Sequence, residues 1–170
     1  MKYILSFFIA LLTVFTISAQ DSINFPDDYL GVYDGNLVIH SAGKTQNIPM
    51  EFHLLKTKST GKYQYKLVYN GQERNYTLVV KDKEKGLFEV DENNGVVLPF
   101  KFVSNTLYSF FEVQGNLLTT RLAFNDDTVD FEILFTKSKN KTTTGKGTKE
   151  IPFVYGYPVT VTQRALLKRK

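Results

Sequence analysis

Cysteine and tryptophan are absent from this chain of 170 residues, and histidine occurs only twice. Without thiols the chain can form no disulfide, no thiolate metal site and no cysteine nucleophile. His40 and His53 have no second histidine two or four residues away, so we predict no metal site. A Gly-x-Ser-x-Gly elbow and a phosphate-binding glycine loop are also missing. These absences predict a protein that is not an enzyme and that carries no cofactor.

The first nineteen residues have the layout of a secretory signal peptide. Lys2 supplies a positive start, residues 3–17 form an apolar run that is short for a membrane span, and Ser18 and Ala19 are small. We predict cleavage near Ala19 and a periplasmic or extracellular mature protein of residues 20–170, with an uncleaved anchor as the alternative. An exported protein meets little nucleic acid, so we predict no nucleic-acid partner.

Alternation of apolar and polar residues with a period of two dominates the chain from Leu30 onward. Such alternation is typical of strands with one buried face, and no long stretch carries the period of an amphipathic helix. Ten strands are predicted, near residues 31–41, 47–57, 62–70, 73–81, 87–92, 96–103, 106–114, 117–125, 128–137 and 153–163.

Tight turns are predicted between neighbouring strands. Asn70-Gly71 and Asn94-Gly95 suit two-residue hairpin turns, and Gly115-Asn116 suits another. Strands joined to their sequence neighbours form an antiparallel meander. We predict an all-β, up-and-down meander of about eight to ten strands that closes into a barrel, which removes exposed sheet edges, with a two-sheet β-sandwich as the alternative.

Two basic stretches lie near the C-terminus. Residues 137–149 hold five lysines and no large apolar side chain, so we predict a polar loop outside the core. Residues 164–170 hold four more cations, which we interpret as a solvated tail and as a candidate for peripheral contact with the cell envelope. Oligomeric state is not predicted.

Aromatic side chains on the apolar faces of the predicted strands are the candidate ligand-binding residues. A barrel of eight or more strands can hold one small apolar ligand, although the same rings could instead fill a solid core. Arg121 would point outward if Leu118 and Leu122 point inward. The candidate lining residues are Phe52, Tyr65, Phe102, Phe111, Phe131 and Phe135.

Two resemblances rest on short segments. Gly31-Val32-Tyr33 resembles the Gly-x-Trp start of lipocalins and related calycins, with Tyr in place of Trp. That likeness covers residues 25–137 and implies an up-and-down barrel that binds small hydrophobic ligands. Residues 48–53, 90–95 and 111–118 resemble a group of uncharacterised secreted proteins of Bacteroidetes, which implies export.

Three functions follow in order of preference. The first is a secreted protein that binds a small apolar or amphipathic ligand in a barrel lumen. The second is an envelope or surface interaction protein with a solid core. The third is a glycan hydrolase, which would need two facing carboxylates in a cleft; the acidic clusters fall at predicted turns or on wet strand faces, namely Asp27-Asp28, Asp91-Glu92, Asp126-Asp127 and Asp130.

Overall fold

The computed structural model describes residues 24–170, so the predicted signal peptide lies outside the described part of the chain. A 3₁₀ turn, Asp27–Tyr29, precedes the first strand, and a second one, Ser138–Asn140, follows the ninth. In chain order the strands are β1 Gly31–Ser41, β2 Lys44–Lys56, β3 Lys62–Tyr69, β4 Gln72–Asp82, β5 Leu87–Asp91, β6 Val97–Val103, β7 Thr106–Val113, β8 Asn116–Asn125, β9 Thr128–Lys137, β10 Thr142–Thr144, β11 Val154–Gly156 and β12 Val161–Arg169.

Ten of these strands form one closed antiparallel barrel. β1 to β9 pair in sequence order, and β12 closes the ring between β9 and β1. The predicted barrel is therefore confirmed over the alternative sandwich. Within residues 24–170 no helix has the length and apolar character needed to cross a membrane.

The last barrel strand is not the one predicted. Residues 153–163 predict a strand because they are apolar and β-branched, but Pro158 interrupts them and Pro152 directly precedes them. Val154–Gly156 is a strand that pairs with Thr142–Thr144 in a small exposed ribbon outside the barrel, and only the last three residues of the predicted span belong to a barrel strand. β12 instead starts at Val161 and runs through the basic segment that we had interpreted as a tail.

Two of the three predicted turns also differ in detail. Asn70 and Gly71 both have positive φ, as a type I′ turn requires. The turn between β7 and β8 instead uses Gln114 and Gly115, with φ of 50° and 73°. The β5–β6 connection is five residues long, and Asn93 rather than Asn94 has positive φ, so it is not a two-residue turn.

Cross-strand rows show which side chains face the interior. Tyr33, Phe52 and Leu67 are successive partners across β1, β2 and β3, and all three are buried. Leu107, Leu122 and Phe131 form a similar buried row across β7, β8 and β9. The alternation in the sequence thus corresponds to inside and outside of the ring.

The segment before β1 closes one end of the barrel, which we call the plugged end. Phe25 is 3% exposed, and its ring stacks on Phe102 with a centroid distance of 4.1 Å. Phe88 and Phe124 complete an aromatic cluster around it at 5.0 and 5.2 Å. Tyr33 donates its hydroxyl to the carbonyl of Tyr29 at 2.8 Å, so the segment is held at both of its ends.

Charged groups fix the plug and the closing strand. The Asp27 carboxylate accepts a hydrogen bond from Tyr63 at 3.0 Å and contacts two lysines. Arg169 donates to the carbonyls of Leu30 and Asp126, both at 2.9 Å, and its guanidinium lies over the ring of Tyr33. The basic C-terminus is therefore part of the barrel wall rather than a solvated tail.

We expect Phe25→Ala to lower the free energy of unfolding by about 3–5 kcal/mol, because it leaves a cavity among three other phenylalanine rings. Urea denaturation measures the change. Phe110→Ala is the matched control, because Phe110 is 66% exposed and its truncation should change stability by under about 0.5 kcal/mol. Equal losses from the two variants would show that the plug contributes little.

We expect Glu51→Gln to reduce stability at neutral pH and to have no effect in acid. Hydrogen bonds from Lys170 and His53 hold the pKa of the Glu51 carboxyl below its usual range. The stabilisation is therefore complete above the unfolded pKa of about 4.3 and is lost as the pH falls through the lower folded value.

Urea midpoints of Glu51→Gln and the unaltered protein measure this effect. Glu51 and Lys170 are partly exposed. The difference in unfolding free energy between the two proteins at pH 7 should therefore be under about 1 kcal/mol. A difference that stays constant down to about pH 2 would contradict the assignment to this carboxyl.

Candidate functional site

All six aromatic residues predicted to line the lumen lie on the inward face of the barrel, at different levels along it. Near the plugged end, Phe52 is fully buried and Phe102 stacks on Phe25. Nearer the opposite end, which we call the distal end, Phe111 and Phe135 both pair with Leu118 and are half-buried. Tyr65 and Phe131 lie between these levels and are buried.

The interior holds an unfilled space of about 170 Å³ on the distal side, which we call the distal cavity. Three of the six predicted residues line it, namely Tyr65, Phe111 and Phe131, and the other three do not. Sequence reasoning missed its remaining lining residues, which are Leu67, Tyr69, Arg74, Tyr76, Val90, Glu92, Leu98, Phe100, Thr120 and Ile133.

Tyrosine hydroxyls give the distal cavity hydrogen-bonding capacity. Tyr65 and Tyr76 lie with ring centroids 6.5 Å apart, and Tyr69 lines the same space. Burial raises the pKa of Tyr65 and of Tyr69 far above the usual value, and none of the three hydroxyls forms a hydrogen bond within residues 24–170. None of the three is among the fully buried side-chain polar atoms that lack a partner in the described part of the chain, so each hydroxyl stays accessible and can bond a polar atom or water in the cavity.

Arg74 and Glu92 bring charge to the distal cavity. Arg74 occupies the same inward row as Leu67, at the exposed end of β4, and forms no ion pair within the described residues. It lies close enough to Tyr69 and Tyr76 for its positive charge to oppose the upward shift in their pKa. The period of two could have identified it, since Arg74, Tyr76 and Leu78 share one parity.

Arg121, the arginine considered from the sequence, points outward as expected. Its guanidinium donates to the Asp130 carboxylate at 2.8 Å, and this contact keeps the pKa of Arg121 high. Thus the arginine that reaches the cavity is Arg74.

The barrel wall is incomplete beside the distal cavity, between β6 and β7. Only three residue pairs join these strands, and the register ends at Lys101 and Tyr108. The distal halves of the two strands, residues 97–100 and 110–113, form no backbone pairs with each other. We call this separation the β6–β7 split.

Outside the split lies an apolar depression of about 580 Å³, which we call the outer groove. Its apolar surface includes Leu87, Pro99, Tyr108 and Phe110, and Phe110 is 66% exposed. Charged side chains lie along its edge, namely Lys101, Arg121 and Glu132. Neither the split nor the outer groove was predicted from the sequence.

The acidic clusters considered for catalysis have structural contacts. Asp27 holds the plug, Asp91 accepts the backbone N–H of Asn93 at 2.8 Å, and Asp130 pairs with Arg121. Among residues 24–170 no group of three or more histidine, aspartate or glutamate side chains is arranged to hold a metal ion.

Comparisons with known proteins bear on the fold. No protein-family model and no curated protein matches the chain. A crystal structure of a protein of unknown function from the DUF3598 family of Nostoc punctiforme PCC 73102 is similar, with a TM-score of 0.60 and 11% sequence identity. The match covers 85% of this chain and 48% of that chain, so this chain spans about half the length of that protein.

At 11% identity this likeness shows the fold alone. The ten-stranded antiparallel barrel is consistent with the calycin-like architecture that the sequence resemblance implied. The resemblance to exported Bacteroidetes proteins stays a prediction.

We expect Tyr65 and Tyr69 to stay protonated in alkali until the protein unfolds. Exposed phenols ionise near pH ~10, whereas burial raises the pKa of these two well above that value. Tyrosinate absorbance at about pH 11, read before and after addition of urea, separates the exposed tyrosines from the buried ones.

Tyr65→Phe and Tyr69→Phe should reduce only the absorbance that appears on unfolding. Tyr155→Phe is the control, because Tyr155 is 52% exposed and should reduce the absorbance seen before unfolding. If Tyr65→Phe reduced that early absorbance instead, the hydroxyl would be open to solvent and not enclosed by the cavity.

Proposed function

We propose that this protein binds a small apolar or amphipathic molecule inside the barrel. The observation that carries the proposal is the contrast between the two halves of the interior. Phenylalanine rings fill the plugged end, whereas the distal side keeps a cavity lined by apolar side chains and by three tyrosine hydroxyls that have no hydrogen-bond partner in the described part of the chain.

The chemistry of the distal cavity suits a ligand with an apolar body and one polar or anionic end. Val90, Leu98 and Ile133 offer apolar contact, and the tyrosine hydroxyls can donate to a polar group. Arg74 can pair with an anion at the distal end, although Glu92 on the same lining reduces the net positive charge there.

Two further parts of the proposal rest on the sequence. The chain acts by binding and not by catalysis, because no nucleophile–base pair or paired-carboxylate motif is apparent in it. It acts outside the cytoplasm, because its first nineteen residues have the layout of a signal peptide. Native mass spectrometry of residues 20–170, purified without detergent from a secreting host, tests for a bound molecule.

A second candidate function is contact with a protein partner through the β10–β11 ribbon and its continuation. Several apolar side chains of this segment are more than half exposed, namely Phe153, Val154, Tyr155 and Val159. Exposed apolar groups in a cluster mark interaction sites more often than isolated ones do. A dimer in the same mass spectrum, without an added small molecule, would favour this candidate.

We expect Ile133→Trp to abolish the binding of dodecanoic acid, because the larger side chain occupies the distal cavity that Ile133 lines. Native mass spectrometry measures the fraction of protein that carries the added mass. Ile39→Trp is the matched control. Ile39 and Ile133 both pair with Gln163 and so lie at the same level of the interior, but Ile39 does not line the cavity.

Thermal unfolding of both variants shows whether the tryptophan is tolerated. Retained binding in a folded Ile133→Trp protein would overturn the cavity as the site. Equal loss of binding in both folded variants would also count against it, because the effect would then not depend on the cavity.

A further inference from the structure

We infer that the ligand site extends through the barrel wall, so that the β6–β7 split and the outer groove belong to the same site as the distal cavity. The ligand would be an elongated amphiphile with its polar end inside the barrel and its apolar chain along the groove, and it would enter sideways through the split. This inference rests on the proposed function.

Pro99 accounts for the split. Phe102 donates its backbone N–H to Gly86 next to β5 at 2.8 Å, so the odd-numbered residues of β6 direct their backbone groups toward β7. Pro99 is one of them and has no N–H to donate. The pairing of β6 with β7 stops before it, at Lys101.

A side chain satisfies the backbone carbonyl of Pro99, which is the one backbone hydrogen-bonding group that a proline retains. Ser109 donates its hydroxyl to the Pro99 carbonyl at 2.7 Å, in place of a regular strand-to-strand ladder. Proline inside a sheet is confined to edges and bulges, and here it leaves an internal edge in the barrel wall.

The groove and the distal cavity meet at this edge. Phe100 and Thr120 line both spaces, so their side chains lie between the interior and the outer face. Both residues lie on the inward side of the wall and are at most 7% exposed. A passage between the two spaces needs rotation of these side chains and release of the Ser109 hydroxyl from Pro99, and side-chain rotamer changes are fast.

Size favours a ligand that uses both spaces. Small-molecule sites are typically about 300–1,000 Å³. The distal cavity, at about 170 Å³, is smaller than this range, whereas the outer groove, at about 580 Å³, lies within it. A ligand of ordinary size that enters the distal cavity must therefore extend beyond it, and the outer groove offers adjoining space.

The distribution of polar groups between the cavity and the groove sets the orientation of the ligand. On the cavity side, the hydroxyls of Tyr65 and Tyr69 and the guanidinium of Arg74 have no hydrogen-bond or ion-pair partner among residues 24–170, and Glu92 lies on the same lining. On the groove side, the guanidinium of Arg121 is already paired with Asp130, and Lys101 donates to the carbonyl of Lys85. The polar end is thus better accommodated inside, and the apolar chain against Tyr108 and Phe110.

The chain has no cysteine, so a single introduced cysteine can be labelled at a chosen position. Phe110→Cys places a label in the outer groove. Gln72→Cys places the same label at the distal end, because Gln72 is exposed at the start of β4 and lines neither space. Each variant is compared with and without N-cyclohexylmaleimide, and stopped-flow fluorescence follows the uptake of 11-(dansylamino)undecanoic acid.

We expect the label at position 110 to slow uptake at least about tenfold and to weaken equilibrium binding, and the label at position 72 to change either by under about twofold. Pro99→Val supplies an N–H that lets β6 and β7 pair further, so it should also slow uptake. The reverse pattern for the two labels, or no effect of either, would overturn the inference. Failure of the unlabelled proteins to bind the probe would instead overturn the proposed function.

Discussion

A closed ring of ten strands encloses more space than a ring of eight, whose interior is just wide enough for side chains to fill. This greater width constrains the rest of the structure. The protein meets the constraint differently at its two ends. At one end, Phe25 enters from outside the sheet and packs between Phe88, Phe102 and Phe124. At the other end no segment of residues 24–170 fills the space, and a cavity remains.

Closure of the ring depends on β12, which contributes both buried side chains and charged contacts. β12 pairs with β1 on one side and β9 on the other, and its residues Ala165 and Leu167 are buried inside. Arg169 then links this strand to the plug through the carbonyl of Leu30. Loss of β12 would therefore open the ring and release the segment that fills its plugged end.

The sequence was sufficient for the strands and for the inward rows, because period-two alternation is a local signal that barrel packing preserves. It was insufficient for β12, where Arg164 and Lys168 flank the buried Ala165 and Leu167 and where Leu166 is exposed. It was also insufficient for the cavity. Phe52 and Phe111 both point inward in the sequence pattern, yet Phe52 is fully packed and Phe111 lines the cavity. The difference depends on the neighbours that each ring meets across the interior, which the pattern of one strand does not contain.

Pro99 shows how one residue can couple the wall to the site. A central strand of a closed barrel has partners on both sides, so a missing N–H leaves an unmatched carbonyl on the neighbouring strand as well. That cost is hard to justify by stability alone, because a valine would restore the ladder. It is consistent with a wall that must separate there, beside the distal cavity and beneath an exposed Phe110. The split needs no hinge elsewhere, because the hairpin turn at Ser104 and Asn105 keeps β6 and β7 joined at the plugged end and only their distal halves lack backbone pairing.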